Sequence, residues 1–178
     1  MIERNQPTRE LVIEMLHQRG VTLSEMAGLV QELQKPYIPD LTHDACANSV
    51  ERVLDKREVQ NAIITGIALD KAAEKGDLDE PLLSILRRDD GLYGIDEIMA
   101  LSIVNIYGTI GLTNFGFLDK TKPGVIGRLN EEKRPHVNTY LDDLVAAVVA
   151  AACSRLAHQA RDREISEAAE NEVAASKE

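Results

Sequence analysis

Residues 139–156, "TYLDDLVAAVVAAACSRL", decide the fold because they join a run of small aliphatic side chains to a pair of acids. Asp142 and Asp143 are followed by residues 144–153, each of which is Leu, Val, Ala or Cys. A helix that is apolar on all sides is normally buried within a fold. This stretch therefore predicts a central helix whose first turn carries two carboxylates into the protein interior.

The same arrangement occurs upstream, in "YGIDEIMALSIVNIYG", residues 93–108. Here Asp96 and Glu97 precede an almost wholly apolar run from Ile98 to Ile106. This composition predicts a second central helix, again with two acids in its first turn. The function of the chain depends on whether the two acidic pairs serve one purpose.

Signals for the start and end of helices cover much of the remaining chain. Thr8 and Thr22 are predicted N-caps, and Glu25 has the spacing of a capping box with Thr22. Gly76 is predicted to end a long helix, because glycine readily adopts the left-handed conformation found after a helix C-terminus. The glycine-rich residues 108–127 predict instead a long connection that contains one short helix.

The predicted fold is all-α, a single-domain multi-helix bundle with two central apolar helices, and it covers residues 1–158. Residues 159–178 are predicted to be a polar C-terminal tail, either a frayed helix or disordered. Aromatic residues make up only 3% of the chain and tryptophan is absent, so the predicted core is aliphatic and rich in alanine.

The charge of the chain excludes some classes of partner. With 178 residues and a formal net charge of −10, the chain lacks the cationic surface that nucleic-acid binding requires. The same charge disfavours electrostatic attraction to an anionic membrane. We therefore expect no nucleic-acid partner and at most peripheral contact with a membrane.

The compartment is predicted from the cysteines and from the N-terminal residues. Cys46 and Cys153 have no metal-binding or redox spacing, and residues 1–10 lack the apolar segment of a secretion signal. No run reaches about 18 uninterrupted apolar residues, so no transmembrane segment is predicted. We expect a cytoplasmic protein that forms homo-oligomers through its alanine-rich helices.

The two acidic pairs suggest a metal site. Two central helices that each bring acids would place several carboxylate oxygens around one point. Ligation by oxygen alone suits Mg²⁺, with Mn²⁺ or Ca²⁺ as alternatives. Acids in the first turn of a helix are also favoured by the helix dipole without any ligand, and this second interpretation stays open.

Two further segments carry candidate residues for binding a phosphate. "LDKTKPG", residues 118–124, contains Asp119 and Lys122, and the ammonium group of Lys122 would neutralise phosphate charge. "RRDDGLYG", residues 87–94, contains Asp89 just ahead of the first acidic pair. An ordinary surface loop and a plain turn are the alternative interpretations of these segments.

The ordered set "GIDE", "LDKTKPG" and "YLDDLVAAVVAAA" resembles the phosphatidylglycerophosphatase A family, and the whole chain is similar to its small soluble branch, which includes low temperature requirement C proteins. The resemblance implies Mg²⁺-dependent removal of phosphate from phosphatidylglycerophosphate in phospholipid biosynthesis. It places metal ligands and catalytic acids on Asp96, Glu97, Asp142 and Asp143.

The resemblance also assigns Asp119 to the metal site and Lys122, with Asp89, to the substrate. The chain departs from the membrane-spanning members of the family at two points. Their His-Asp-x-Gly-Ser stretch is "RDDGL" here, which keeps Asp89 and Gly91 but lacks the histidine and the serine. Gly116 stands where they have an arginine.

The sequence therefore predicts a divalent-metal-dependent phosphatase with water as the nucleophile and a phosphorylated lipid as the substrate. One alternative keeps the metal and replaces the lipid with a soluble phosphomonoester. The other alternative is a non-enzymatic helical oligomerisation or regulatory protein, in which the acids only cap helices or pair with neighbouring helices.

Overall fold

The computed structural model describes residues 6–132 and 135–175, with side chains up to residue 171. This part of the chain contains no strand, so the all-α prediction is confirmed. A 3-10 helix, Asn105–Tyr107, follows α6. The α-helices are α1 Arg9–Gln18, α2 Leu23–Gln34, α3 His43–Leu54, α4 Arg57–Lys75, α5 Leu82–Arg88, α6 Ile95–Val104, α7 Gly108–Thr121, α8 Gly124–Glu131 and α9 Leu141–Ala175.

The predicted helix boundaries agree with the local hydrogen bonds. The Thr8 side chain accepts from the backbone N–H of Leu11 at the start of α1. Thr22 and Glu25 form a complete capping box at the start of α2. Gly76 follows α4 with a φ of 80°, the left-handed conformation that lets glycine end a helix.

α9 is the central helix of the bundle. Every side chain from Leu141 to Ser154 is buried, and α2, α3, α4, α6, α7 and α8 all pack against this helix. The small side chains of this helix predict its central position, because they allow six helices to pack closely against it. α9 continues through most of the predicted tail to Ala175, with the side chains of residues 161–171 exposed, while residues 176–178 lie outside the described chain.

The predicted long connection over residues 108–127 is wrong. These residues form α7 and the first half of α8. The glycines have a packing role, because a Cβ on Gly111 would lie only 3.2 Å from a methyl group of Val104. Close packing of α7 beside the end of α6 thus overrides the low helix propensity of glycine.

α6 and α7 form an antiparallel hairpin along α9. Asp96 near the start of α6 and Asp119 near the end of α7 line one cavity together with Asp142 of α9. At the turn between the two helices, the carbonyl of Tyr107 accepts a 2.7 Å hydrogen bond from Ser154 Oγ. Ser154 lies about 18 Å along α9 from Asp142, at about 1.5 Å per residue. α6 therefore runs away from the cavity and α7 returns to it.

The hairpin packs on α9 with one side only. Ala100, Ile103 and Val104 of α6 are buried, whereas Ile98 on the opposite side is 62% exposed. By length and composition the stretch Ile95–Thr121 would suffice for a membrane span, which the sequence analysis did not predict. The chain reverses within this stretch, so that each helix alone is shorter than the roughly 20 residues that cross a bilayer.

Candidate active site

One cavity of about 160 Å³ lies where the end of α5, the start of α6, the end of α7 and the start of α9 meet. It brings together every candidate site residue that the sequence predicted, from four separate segments of the chain. Its lining residues are Asp89, Asp90, Gly91, Leu92, Gly94, Asp96, Glu97, Asp119, Lys122, Asn130, Thr139, Asp142 and Asp143.

Lys122 connects three of the acids. Its ammonium nitrogen lies 2.8 Å from a carboxylate oxygen of Asp119, 2.9 Å from one of Asp142 and 3.0 Å from one of Asp143. The two aspartates of α9 are almost fully buried, so water solvates their carboxylates poorly. The Lys122 ammonium group stabilises their negative charge instead. This arrangement excludes the alternative in which Lys122 belongs to an ordinary surface loop.

The backbone holds Lys122 in an unusual conformation. Lys122 has a φ of 45°, in the left-handed backbone region that residues other than glycine rarely adopt. A Cβ on Gly127 of α8 would lie 2.3 Å from the Lys122 carbonyl oxygen, so only glycine permits this approach. The sequence "KPGVIG" therefore joins α7 closely to the first turn of α8, and this close approach directs Lys122 toward α9.

Asp70 of α4 fixes the start of α9. Its two carboxylate oxygens accept backbone hydrogen bonds from Tyr140 at 3.2 Å and from Leu141 at 3.1 Å. Asp70 is fully buried, and burial raises its pKa to about 8. The sequence analysis missed this residue. The available signal was a single acid three residues after the apolar Ile67 on the buried side of α4.

Asp96 and Glu97 reach the cavity from the first turn of α6, which begins after Gly94 in a left-handed conformation. One carboxylate oxygen of Asp96 accepts a 2.9 Å hydrogen bond from the Glu97 backbone N–H. Burial raises the pKa of Asp96, although backbone hydrogen bonds oppose the change. Asp96 therefore accepts a backbone hydrogen bond in the first turn of a helix and also lines the cavity, so the metal site stays a prediction beside the helix-end interpretation.

The electrostatics of the cavity are those of crowded, buried carboxylates. Burial raises the pKa of Asp142 to about 6, and burial with the charge of Asp142 raises that of Asp143 to about 7. Lys122 opposes both changes. For Lys122 itself, burial acts to lower the pKa, but the charge of Asp142 and contacts with all three acids outweigh it and raise the pKa.

The residues fit a hard divalent cation by their chemistry. They offer carboxylate oxygens without histidine or cysteine, the ligand set of Mg²⁺, and the site carries more negative than positive charge. Among the described residues, no group of three or more such side chains is already arranged around a metal position. The Lys122 ammonium lies among the three acids, so a cation there would require its side chain to move.

Two tyrosines support the start of α9 from within the bundle, and the sequence analysis missed both of them. The hydroxyl groups of Tyr93 and Tyr140 are hydrogen-bonded to each other, and their rings pack edge to face. Burial raises the pKa of Tyr140, so its hydroxyl stays protonated. Thr139, which lines the cavity, donates to the Leu86 carbonyl at 2.7 Å and so links α5 to the start of α9.

Comparison with known proteins agrees with this architecture. A family model described as Phosphatidylglycerophosphatase A matches residues 12–158. The uncharacterized protein YutG of Bacillus subtilis is 57% identical over 149 residues, which cover 84% of this chain and 90% of YutG.

Two solved structures share the fold. A protein of unknown function from Bacillus stearothermophilus matches with a TM-score of 0.84 and 58% identity, covering 86% of this chain and 96% of that chain. The low temperature requirement C protein from Listeria monocytogenes matches with a TM-score of 0.83 and 54% identity, again covering 86% of this chain and 96% of that chain.

Proposed function

The chain belongs to the phosphatidylglycerophosphatase A family, and we propose that it is a Mg²⁺-dependent phosphatase that releases phosphate from phosphatidylglycerophosphate in phospholipid biosynthesis. One observation carries the proposal. Acids from the starts of α6 and α9 and the Asp119–Lys122 turn of α7 line a single cavity. Asp142 and Asp143 are buried there, burial raises their pKa values, and a cation bound beside them would stabilise their charge in addition to Lys122.

In this proposal five acids of the cavity would hold the cation: Asp96, Glu97, Asp119, Asp142 and Asp143. A bound Mg²⁺ would supply Lewis-acid polarisation of the phosphoryl group and neutralise its charge. Asp70 and Gly127 position the ligands, because Asp70 fixes the start of α9 and Gly127 fixes the turn before α8.

Water is the attacking nucleophile, because no serine or cysteine is among the described residues that line the cavity. A carboxylate of the cavity that does not hold the cation accepts the proton of this water. The water oxygen bonds to phosphorus as the ester P–O bond breaks, and the released alcohol takes a proton from solvent.

Lys122 contacts the substrate phosphate. Its ammonium group stays charged because the three acids raise its pKa. When a cation satisfies these acids, the ammonium group is free to move toward phosphate oxygens within the same cavity. Asp89, which directly follows α5, lines the same cavity and is assigned to the substrate as well.

A soluble phosphomonoester is the second candidate substrate, and the size of the cavity favours it. A volume of about 160 Å³ accommodates a phosphate and its immediate substituent but not acyl chains. A lipid would therefore leave its chains outside the cavity. Phosphate release from phosphatidylglycerophosphate should be compared with release from glycerol 3-phosphate and other soluble phosphoesters. Faster hydrolysis of the soluble compounds would reject the lipid assignment.

Metal binding separates the enzyme from the non-enzymatic alternative. We expect Mn²⁺ to bind in isothermal titration, and the double variant Asp96→Asn/Asp142→Asn to lose the binding and the phosphatase activity. Asp162→Asn is the matched control, because Asp162 lies exposed on the same helix as Asp142. Equal Mn²⁺ affinity in all three proteins would contradict a metal site between α6 and α9.

A further inference from the structure

The α6–α7 hairpin has a large uncharged surface. From Ile98 to Leu118, 21 consecutive residues include no Asp, Glu, Lys, Arg or His. Many of these side chains are exposed rather than buried, including large apolar ones. We define the outer hairpin face by its exposed residues Ile95, Ile98, Ser102, Ile106, Leu112 and Phe117. Ile110 and Thr113 are also exposed but line a groove beside Arg161 and Glu164 of α9, so they are not part of this face.

Three exposed residues of α6 follow the period of a helix. Ile95, Ile98 and Ser102 are spaced at i, i+3 and i+7, which places them along one side, and the exposed Ile106 follows in the 3-10 helix Asn105–Tyr107. The opposite side of α6 packs on α9 and α4. An α-helix that is apolar on both sides normally has neighbours on both sides. In the single chain α6 has neighbours on one side only, so its outer side lacks a partner.

A lipid surface is the less favoured partner. Helices that lie on membranes combine an apolar side with lysines and arginines that contact anionic head groups. The outer hairpin face has no cation between Ile98 and Leu118, and the chain as a whole carries a formal charge of −10. Such a surface would approach an anionic bilayer against electrostatic repulsion.

A second copy of the chain fits the same surface better. Two identical faces meet in a two-fold symmetric dimer, where each residue of the patch lies against the same patch. Because the outer hairpin face is neutral, two copies bring no like charges into contact there, even though each chain is acidic. Interfaces between permanent partners are apolar at their centre and poor in charged residues.

We propose that the outer hairpin face is the contact surface between two copies of this chain. In the dimer, the α6–α7 pair of one copy packs against the same pair of the other, and the exposed isoleucines become the core of a four-helix contact. The contact begins beside the cavity, because Ile95 and Ile98 bracket Asp96 and Glu97 in the first turn of α6.

Sedimentation velocity over a concentration series tests the proposal with the full chain. We expect the wild type to sediment with twice the chain mass and Ile98→Glu/Ile106→Glu to sediment as a monomer. In this variant each copy would bring two carboxylates to the contact surface, and their repulsion by the two carboxylates of the other copy would prevent dimerisation. Leu11→Glu is the control, because Leu11 is 48% exposed on α1, and it should remain dimeric. Far-UV circular dichroism should show the same helix content in all three proteins.

Three results would overturn the proposal. A monomeric wild type at every concentration would remove the dimer. A dimer that survives in Ile98→Glu/Ile106→Glu, and also in Phe117→Glu on α7, would move the contact elsewhere. Co-sedimentation of a monomeric wild type with phosphatidylglycerol vesicles, lost in the double variant, would identify the face as a lipid-binding surface instead. If the double variant does not fold, Phe117→Glu alone decides, because Phe117 is 52% exposed and lies on the second helix.

Discussion

Lys122 has two roles that a single substitution can separate. Its ammonium group neutralises Asp119, Asp142 and Asp143 in the absence of substrate, and it contacts phosphate in the proposed reaction. We expect Lys122→Met to lower kcat/KM for phosphate release by about 10²–10³-fold, the usual effect of losing one donor to a reacting oxyanion. Mn²⁺ affinity should be kept or should rise, because no ammonium group then competes for the carboxylates.

Lys120→Met is the control for this variant, since Lys120 is exposed on α7 two residues earlier. It should behave as the wild type in both measurements. Loss of Mn²⁺ binding in Lys122→Met would show that the lysine organises the acids for the metal. Unchanged kcat/KM would remove Lys122 from the substrate site.

The raised pKa of Asp70 predicts how the free energy of unfolding depends on pH. Its folded-state pKa of about 8 lies above the unfolded value, so the folded chain keeps a proton that the unfolded chain has lost. The resulting stability is complete below the unfolded pKa and is lost as pH rises toward 8. One such proton changes the free energy of unfolding by at most about 1.4 kcal/mol per pH unit. Urea unfolding at several pH values should show this decline.

Asp142 and Asp143 contribute a decline of the same sign, so the measurement must compare variants. Asp70→Asn should show a shallower decline between neutral pH and the pKa of Asp70, because the amide does not ionise. Asp77→Asn, at an exposed position just after α4, should keep the slope of the wild type. Equal slopes in all three proteins would mean that Asp70 is already ionised at neutral pH.

Among the helices, α9 was predictable because its composition permits only one location. Fourteen residues from Leu141 to Ser154 contain no large polar side chain except the two acids at the start, so burial follows directly. α7 was missed because Gly111 and Gly116 suggest a loop, and contact with α6 overrides that local preference. The exposure of one side of α6 was missed, because a sequence does not show whether an apolar side of a helix packs within its own chain or faces another molecule.

The candidate residues that line the cavity were predictable from their motifs, but the residues that position them were not. Asp96, Asp119 and Asp142 belong to short motifs with recognisable composition. The bonds from Asp70 to the start of α9 join residues 70 positions apart, and no local pattern reports such a pairing. The same holds for Gly127. This position requires glycine only because the left-handed conformation of Lys122 brings the Lys122 carbonyl oxygen close to it.

Gly127 makes the α7–α8 turn sensitive to a single methyl group. The added Cβ of Gly127→Ala would lie 2.3 Å from the Lys122 carbonyl oxygen, so the turn must shift. We expect a loss of stability of about 1–3 kcal/mol, the usual range for overpacking. Phosphatase activity should fall further than stability explains, because Lys122 moves with its backbone. Thermal unfolding and phosphate release under folding conditions measure the two effects.

Gly28→Ala is the matched control within another helix. A Cβ on Gly28 would meet no atom within 4 Å, and the position is helical. Alanine is favoured over glycine in a helix by about 1 kcal/mol, so this variant should be as stable as the wild type or more stable. If Gly127→Ala behaved like Gly28→Ala, the turn would not be the rigid support that we infer.

At the scale of the whole molecule, α9 divides into a buried half and an exposed half, by which we mean residues 162–171. The first half is the axis on which six helices pack, whereas the side chains of residues 162–171 are all exposed. Removal of exposed helical residues deletes few contacts, and surface changes usually alter stability by no more than about 0.5 kcal/mol. A chain that ends after Arg161 should therefore melt within about 2 °C of the full chain.

The truncated chain also separates the outer hairpin face from the end of α9. If the hairpin alone forms the dimer contact, the chain that ends after Arg161 should remain dimeric in sedimentation and should keep its phosphatase activity, because neither α6 nor the acids of α9 have changed. A monomeric but fully active truncated chain would place the contact on the exposed half of α9. A lower melting temperature by more than about 4 °C, with dimerisation intact, would mean instead that this half packs on its own bundle. The side chain of Glu164 would be the contact to examine in that case, because it is removed by the truncation and lines a groove together with Tyr37 and Ile110.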